Sequence, residues 1–123
     1  MFTKAVSSFS TNDLQKTLAF YKDTLGIDAS IQSMGNMEIN AGDYRVMIYP
    51  KPNHQPATFT VLNFPVTDVE KTVDELIGKG VTFEQYTGDI KTDEKGICRD
   101  PRGPMIAWFK DPGGNILSVM QGS

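Results

Sequence analysis

The sequence predicts an α+β protein built from two tandem βαβββ units, and three observations lead to that reading. One segment recurs at an offset of 55 residues, each copy opens a helix-forming stretch with capping residues, and each such stretch is followed by short β-rich runs separated by turn residues. In the repeat Val6 falls on Val61, Phe9 on Phe64, Asp13 on Asp68, Lys16 on Lys71 and Thr17 on Thr72. Leu14/Val69, Gln15/Glu70 and Leu18/Val73 are matches in kind.

The first strand is expected over Lys4–Phe9. Asn12 then reads as an N-cap with Gln15 three residues on, the capping-box spacing that satisfies backbone amides left unpaired at a helix start. Asp13 follows in the first turn, where the helix dipole favours a carboxylate. Leu14, Leu18, Tyr21 and Leu25 recur at helical spacing as one apolar stripe, and Gly26 stops the helix. Strands are expected over Asp28–Ser33, Met37–Asn40 and Tyr44–Tyr49, the last two joined through Ala41-Gly42-Asp43. Residues 50–56 hold three prolines and read as a stiff linker.

The second unit repeats the order. A strand over Thr58–Val66 precedes an N-cap at Thr67 with Glu70 three residues on, and Val69, Val73, Leu76 and Ile77 form the apolar stripe up to Gly80. Strands follow at Thr82–Tyr86, Met105–Lys110 and Asn115–Met120, with Asp111-Pro112-Gly113-Gly114 as the turn before the last. The units thus run over about 4–50 and 57–122 of a single domain, 1–123. Between the second unit's strands, Thr87–Gly103 is a long polar connection, the kind that carries function or stays mobile, and is a candidate lid. Its Gly96-Ile97-Cys98-Arg99 piece is a candidate short strand.

A chain of 123 residues fits one domain, or two half-size units sharing a core. With 39% hydrophobic and 22% charged residues it is an ordinary globular composition. The net charge of -3 gives no positive field to draw it to nucleic acid or to anionic lipid. Cys98, the single cysteine, has no disulfide partner, and Met1-Phe2-Thr3-Lys4 opens into polar residues where a secretory signal would be apolar. A cytoplasmic setting is the expectation, and no apolar run reaches the ~18 to 20 residues of a membrane span.

With these elements in place the chain resembles the vicinal oxygen chelate superfamily, which includes glyoxalase I, bleomycin-resistance proteins and extradiol dioxygenases. The resemblance is carried by Asn12-Asp13-Leu14, Leu18-Ala19-Phe20-Tyr21 to Leu25-Gly26, their echo Val66-Thr67-Asp68-Val69, and the run from Ile106 to Ile116 containing "FKDPGGN". It spans nearly the whole chain. It implies that each βαβββ unit forms a curled half-sheet, that two units make a cleft, and that chains pair as homodimers. In the family a divalent metal is typically held by His, Gln or Glu on the first and last strands of each unit. Counting along this sequence puts those positions at Val6 and Met47 in the first unit and at Val61 and Ser118 in the second. Hydrocarbon, thioether and hydroxyl side chains are no ligand set for such a cation, and the neighbouring residues supply no histidine or carboxylate. The resemblance is therefore to a metal-less member, with no metal and no other cofactor expected; the remote alternative is a site recruiting His54, Glu38 or Asp43.

Strand alternation places Ser7, Phe9, Val46, Ile48, Leu62, Phe64, Leu117 and Val119 toward the helices. The opposite set, Val6, Ser8, Met47, Tyr49, Val61, Asn63, Ile116, Ser118 and Met120, would line the concave surface, and Trp108, unassigned between faces, is added as a candidate for the ligand-binding cleft. This lining is apolar with a few hydroxyl and amide groups, the chemistry of a small-molecule pocket or of a surface packed on a partner subunit. His54 in a Pro-rich linker is a weak base for a Ser-His or Cys-His nucleophile. Cys98 beside Arg99 is a candidate reactive thiol, and Arg99 and Arg102 are candidate anion contacts, each weighed against an incidental role. Asp111–Gly114 precedes a strand, so it is no phosphate loop.

The expectation is a small-molecule-binding protein of the bleomycin-resistance type, pairing as a homodimer, with an unidentified small organic ligand. The alternatives are a metal-independent lyase or isomerase of the glyoxalase kind, for which only Tyr49, Glu38 or Cys98 offers acid-base chemistry, and a fold-only interaction module.

Overall fold

The repeat has a geometric counterpart in the way the two helices begin. In the computed structural model, which describes residues 1–122, Asp13 and Asp68 both adopt extended backbone, with φ -145° at each. Each aspartate carboxylate accepts the amide hydrogen three residues on, from Lys16 and Lys71, at 3.1 Å. Thr17 and Thr72 donate their hydroxyls back to the carbonyls of Asp13 and Asp68, at 2.7 and 2.9 Å. This corrects the expected caps at Asn12 and Thr67. A carboxylate is as good a cap as Asn and better than Thr, and here it occupies the cap itself rather than the first turn, so the Gln15 and Glu70 boxes are not what closes the ends.

The first unit contains β1 (Ser7–Thr11), α1 (Leu14–Ala19) continued by a π-helical turn over Phe20–Thr24, then β2 (Asp28–Ile31), β3 (Met37–Ala41) and β4 (Tyr44–Pro50). The second contains β5 (Thr60–Val66), α2 (Val69–Gly78), β6 (Ile97–Cys98), β7 (Ile106–Lys110) and β8 (Ile116–Gln121). Each unit holds a four-stranded mixed sheet, ordered β1-β4-β3-β2 in one and β5-β8-β7-β6 in the other. In both, the first strand pairs parallel with the last and the remaining pairs are antiparallel. The order βαβββ is therefore present twice, as an α+β fold. By contacts the first unit comprises Met1–Pro56 with Pro112–Gly114, and the second Ala57–Asp111 with the chain from Asn115 on.

The cores follow the strand alternation. In the first unit Ala29, Ile39 and Val46 form one buried row across the sheet, Met37 and Ile48 the next, and Tyr21 from the π-helical turn is fully buried. In the second, Ile97, Ala107 and Val119 make one row and Phe109 and Leu117 another, with Val69, Val73 and Leu76 of α2 also buried. Burying side chains of this size contributes roughly 1.5–3 kcal/mol each. Ser7, expected among the core set, is exposed at the strand's start.

The edge of the second sheet departs from expectation. Thr82–Tyr86 is not a continuous strand: Phe83 bridges Phe109, and the amide of Glu84 donates to the Trp108 carbonyl at 2.8 Å, but the pairing stops there. The edge resumes with β6, inside the candidate short strand Gly96–Arg99. One edge is thus split into two pieces along β7, and residues 87–96 form an excursion between them. Gly96, at φ +88°, turns the chain back beside Phe83. Among the described residues no helix is long and apolar enough to cross a membrane.

Candidate functional site

The excursion walls a cavity of about 530 Å³ that lies within the second unit. Phe59 and Thr60 border it at the start of β5, Trp108 and Ile116 from the sheet, and Tyr86 through Ile90 from the excursion. Trp108 sits opposite Ser118 in the β7-β8 ladder, which fixes its side chain on the face away from α2, half-buried. Its indole N–H donates to the Thr60 hydroxyl at 3.1 Å. Tyr86 meets it edge to face, ring centroids 5.5 Å apart and planes at 72°. The Tyr86 backbone is clamped by Thr92, whose hydroxyl accepts from the Tyr86 amide at 2.8 Å and whose amide donates to the Tyr86 carbonyl at 3.0 Å. Burial first, and the Glu84 carboxylate second, push the Tyr86 phenol above its ordinary value, with Lys110 opposing them, so the phenol stays a neutral donor.

Thr60 reaches this face because β5 is irregular. Its register jumps between Thr60 and Leu62, so that Thr60 stands opposite Ile116 while Leu62 stands opposite Leu117. Plain alternation back from Asn63 sends residue 60 to the core side; the bulge at Val61 reverses that. Asn63 and Ser118 are opposite one another, and the Ser118 hydroxyl, fully buried, donates to the Asn63 side-chain oxygen at 2.5 Å. Met120 is half-buried on the same face.

Of the residues expected to line the cleft, Trp108 and Ile116 border the cavity. Val6, Ser8, Met47 and Tyr49 belong to the first unit, where all four are exposed. Ser8 pairs with Met47 and Ser10 with Tyr49 across β1 and β4, while Val46 and Ile48 between them are buried. Met47 is also opposite Glu38, whose carboxylate pairs with Arg45 at 3.5 Å.

The positions that correspond to the family's metal ligands do not fit a divalent cation. Val6 precedes β1, Val61 occupies the bulge, Met47 offers a thioether, and Ser118 has its hydroxyl engaged by Asn63. Glu38 is tied to Arg45, and among the described residues no three His, Cys, Asp or Glu side chains gather as a metal group.

Several loop residues have firmer roles than the sequence suggests. His54 is fixed rather than mobile: Nε2 donates to the Gly113 carbonyl at 2.9 Å, which leaves Nδ1 to accept from the Ser10 hydroxyl at 2.6 Å in the neutral ring. Both contacts lie within the first unit. Cys98 is buried in β6, which argues against a reactive thiol. Arg99 is held by Glu70 of α2 and by Asp93 at 3.1 Å, and Arg102 by Asp100 at 2.5 Å, so neither is a free anion contact. Arg102, through its side chain and then its amide, lowers the Asp100 carboxyl to about 2.

Phe59, Thr60, Tyr86 and Ile90 border the cavity without having been singled out from sequence. The available signal was the unusual length of the 87–103 connection, which marked the region but no side chain.

The glyoxalase/bleomycin resistance protein/dioxygenase superfamily profile matches residues 6–119. Among curated proteins, the uncharacterized protein YraH of Bacillus subtilis (strain 168) is 26% identical, over 88% of this chain and 89% of its own length. Solved structures share the fold. A bleomycin resistance determinant encoded on transposon Tn5 superposes with a TM-score of 0.72 at 21% identity, covering 99% of both chains. Lactoylglutathione lyase from Agrobacterium tumefaciens gives 0.71 at 18% identity, over 98% of this chain and 93% of that one. A bleomycin-binding protein complexed with bleomycin gives 0.70 at 21% identity, over 99% of this chain and 100% of the other.

Proposed function

The chain belongs to the glyoxalase/bleomycin resistance protein/dioxygenase superfamily, and we propose that it binds a small organic molecule without a divalent metal, in the aromatic-walled cavity of its second unit. The observation that carries the reading is the Trp108 wall: a half-buried indole, its N–H already satisfied by Thr60, facing a cavity with Tyr86 set against it. A volume of about 530 Å³ suits a drug-sized ligand, and the lining is apolar with a few hydroxyl groups, the usual make-up of such sites. That a similar fold serves a bleomycin-binding protein supports small-molecule binding as a use of this architecture. The metal-free part rests on the donor chemistry at Val6, Met47, Val61 and Ser118.

Trp108 is the only tryptophan, so its indole N–H gives one resolved NMR signal from inside the cavity wall. Screening aromatic fragments against that signal is the direct test. Saturable shifts of that signal in the wild type, and loss of the binding heat in Trp108→Ala by calorimetry, are the expected result. Failure of every fragment to move the signal, together with thermal stabilisation by Zn²⁺, Ni²⁺ or Fe²⁺ on the scale that tight binding gives, overturns the reading in favour of a metal enzyme. The same reading takes the protein as a homodimer, with Met47 and Tyr49 on the first unit's exposed sheet face as the proposed contact. Light scattering of the wild type and of Tyr49→Glu tests this; a monomer in both removes the association.

A further inference from the structure

We infer that the ligand taken by the Trp108 cavity is a flat aromatic cation, an inference that rests on the cavity being the binding site. Two independent features point to it. The first is the charge of the lining. Among the described residues, Asp89 is the one ionic side chain on the cavity wall, and no lysine, arginine or histidine borders it. The cations nearby are committed elsewhere: Lys110 pairs with Glu84 at 3.4 Å, and Arg99 is held by Glu70 and Asp93. Lys91, two residues past Asp89, does not line the cavity; it lines an adjoining depression with Thr92, Asp93 and Arg99, which Asp89 also borders. A ligand in the cavity therefore meets a single, negative formal charge.

The second feature is how the aromatic rings are presented. With its N–H donated to Thr60, Trp108 has no donor left for a ligand and offers its π surface. Tyr86, set edge to face against it, forms the adjoining wall. On the rim, Phe59 is 68% exposed and Ile90 is 50% exposed, one just before β5 and the other on the excursion. Exposed apolar side chains on two separate segments bordering one cavity give flat apolar surfaces for a planar body to cover. The π faces of Trp and Tyr carry negative potential and attract a delocalised cation more than a neutral ring of the same shape. The carboxylate and the quadrupoles act with the same sign, so the preference for a cation comes from the wall as a whole.

The test compares three ligands on one three-ring frame at pH 8: N-methylacridinium, neutral acridine, and acridine-9-carboxylate. Calorimetry measures affinity, and the Trp108 indole signal reports whether binding occurs in the cavity. Cation-π contact and one exposed ion pair together predict roughly a tenfold preference for N-methylacridinium over acridine, with the carboxylate weakest. Asp89→Asn, an exposed and conservative change, is expected to lower the cation's affinity about threefold and to leave acridine unchanged. Raising salt from low to physiological ionic strength shrinks the wild-type preference but not that of the variant. Equal affinity for acridine and its methylated cation, or tightest binding of the carboxylate, overturns the cation inference while the cavity stands. If none of the three moves the indole signal, the flat aromatic cation is overturned as the ligand, and the fragment screen decides separately whether the cavity binds at all.

Discussion

Gly96 is where the split edge of the second sheet is most tightly held, and Gly96→Ala measures how much. Its φ of +88° is a conformation that L side chains rarely adopt, which by itself costs about 1–2 kcal/mol. A Cβ at this position would lie 2.7 Å from the Phe83 Cβ and 3.0 Å from the Glu84 carbonyl oxygen. Neither is the far end of a flexible side chain, since Glu84 donates its amide to Trp108 and Phe83 bridges Phe109. Overpacking against such neighbours adds about 1–3 kcal/mol. The total, roughly 2–5 kcal/mol, is a large part of a stability on the order of 5–15 kcal/mol. Gly35 provides the control: its φ is +94°, but nothing lies within 4 Å of its built Cβ. Gly35→Ala should therefore show the backbone term alone, about 1–2 kcal/mol. Urea titrations followed by Trp108 emission and by circular dichroism give both values, and their difference isolates the contact with Phe83 and Glu84. The clash also pushes on the segment that carries Tyr86, so Gly96→Ala should shift the native-state Trp108 emission while Gly35→Ala leaves it unchanged. Equal destabilisation by the two substitutions would refute the reasoning, because the edge would then have slack to absorb a methyl group.

Two further perturbations probe the loops. Burial acts to raise the Asp93 carboxyl, but the Ile97 amide, the Arg99 side chain and the Lys95 amide hold it below its ordinary value. A depressed folded-state value means stability present above the unfolded carboxyl pKa of about 3.9 and lost as pH falls through the folded value. Asp93→Asn should therefore lower the melting temperature at pH 7 and flatten its fall below about pH 4; an unchanged acid slope would show that Asp93 does not titrate with folding. His54→Ala removes both the Ser10 acceptor and the Gly113 donor, which should destabilise by about 1–3 kcal/mol and speed proteolytic cleavage within residues 50–56. Wild-type cleavage rates in the variant would mean that the prolines alone stiffen the linker.

The elements were most legible where local chemistry repeats. Asp13 and Asp68, Thr17 and Thr72, and the stripes behind them recur at one offset, and both helices begin within a residue of expectation. The buried rows through Val46, Ile48, Leu117 and Val119 follow from alternation alone. What alternation cannot carry is an inserted residue. The bulge at Val61 sends Thr60 to the Trp108 side, and nothing in Thr58–Val66 marks which residue is the extra one. The second sheet's edge was hidden for a different reason. Phe83 and Ile97 are separated by 13 intervening residues, yet both pair along β7, a non-local juxtaposition that no window over the sequence reports.

The same edge explains why the two units can share a topology and differ in chemistry. In the first, β2 is one unbroken edge strand, from Asp28 to Ile31, paired along its length with β3. In the second, the edge opens after Glu84 and closes at Ile97, and the residues in between wall the cavity in front of Trp108. Ser118 meanwhile is fully buried and bonded to Asn63, so a carboxylate introduced there would be a buried charge with no cationic partner among its ladder neighbours Asn63 and Trp108. Metal chemistry at these positions would need new donors on several strands at once. If the cavity is the binding site, as proposed, a change of ligand would need only substitutions in the excursion, whose exposed Asp89 and Ile90 carry little of the core. On the proposed reading, the fold keeps its packing in the ladder and leaves ligand choice to the inserted loop, which makes the residues between Tyr86 and Gly96 the place where relatives of this chain should differ in what they bind.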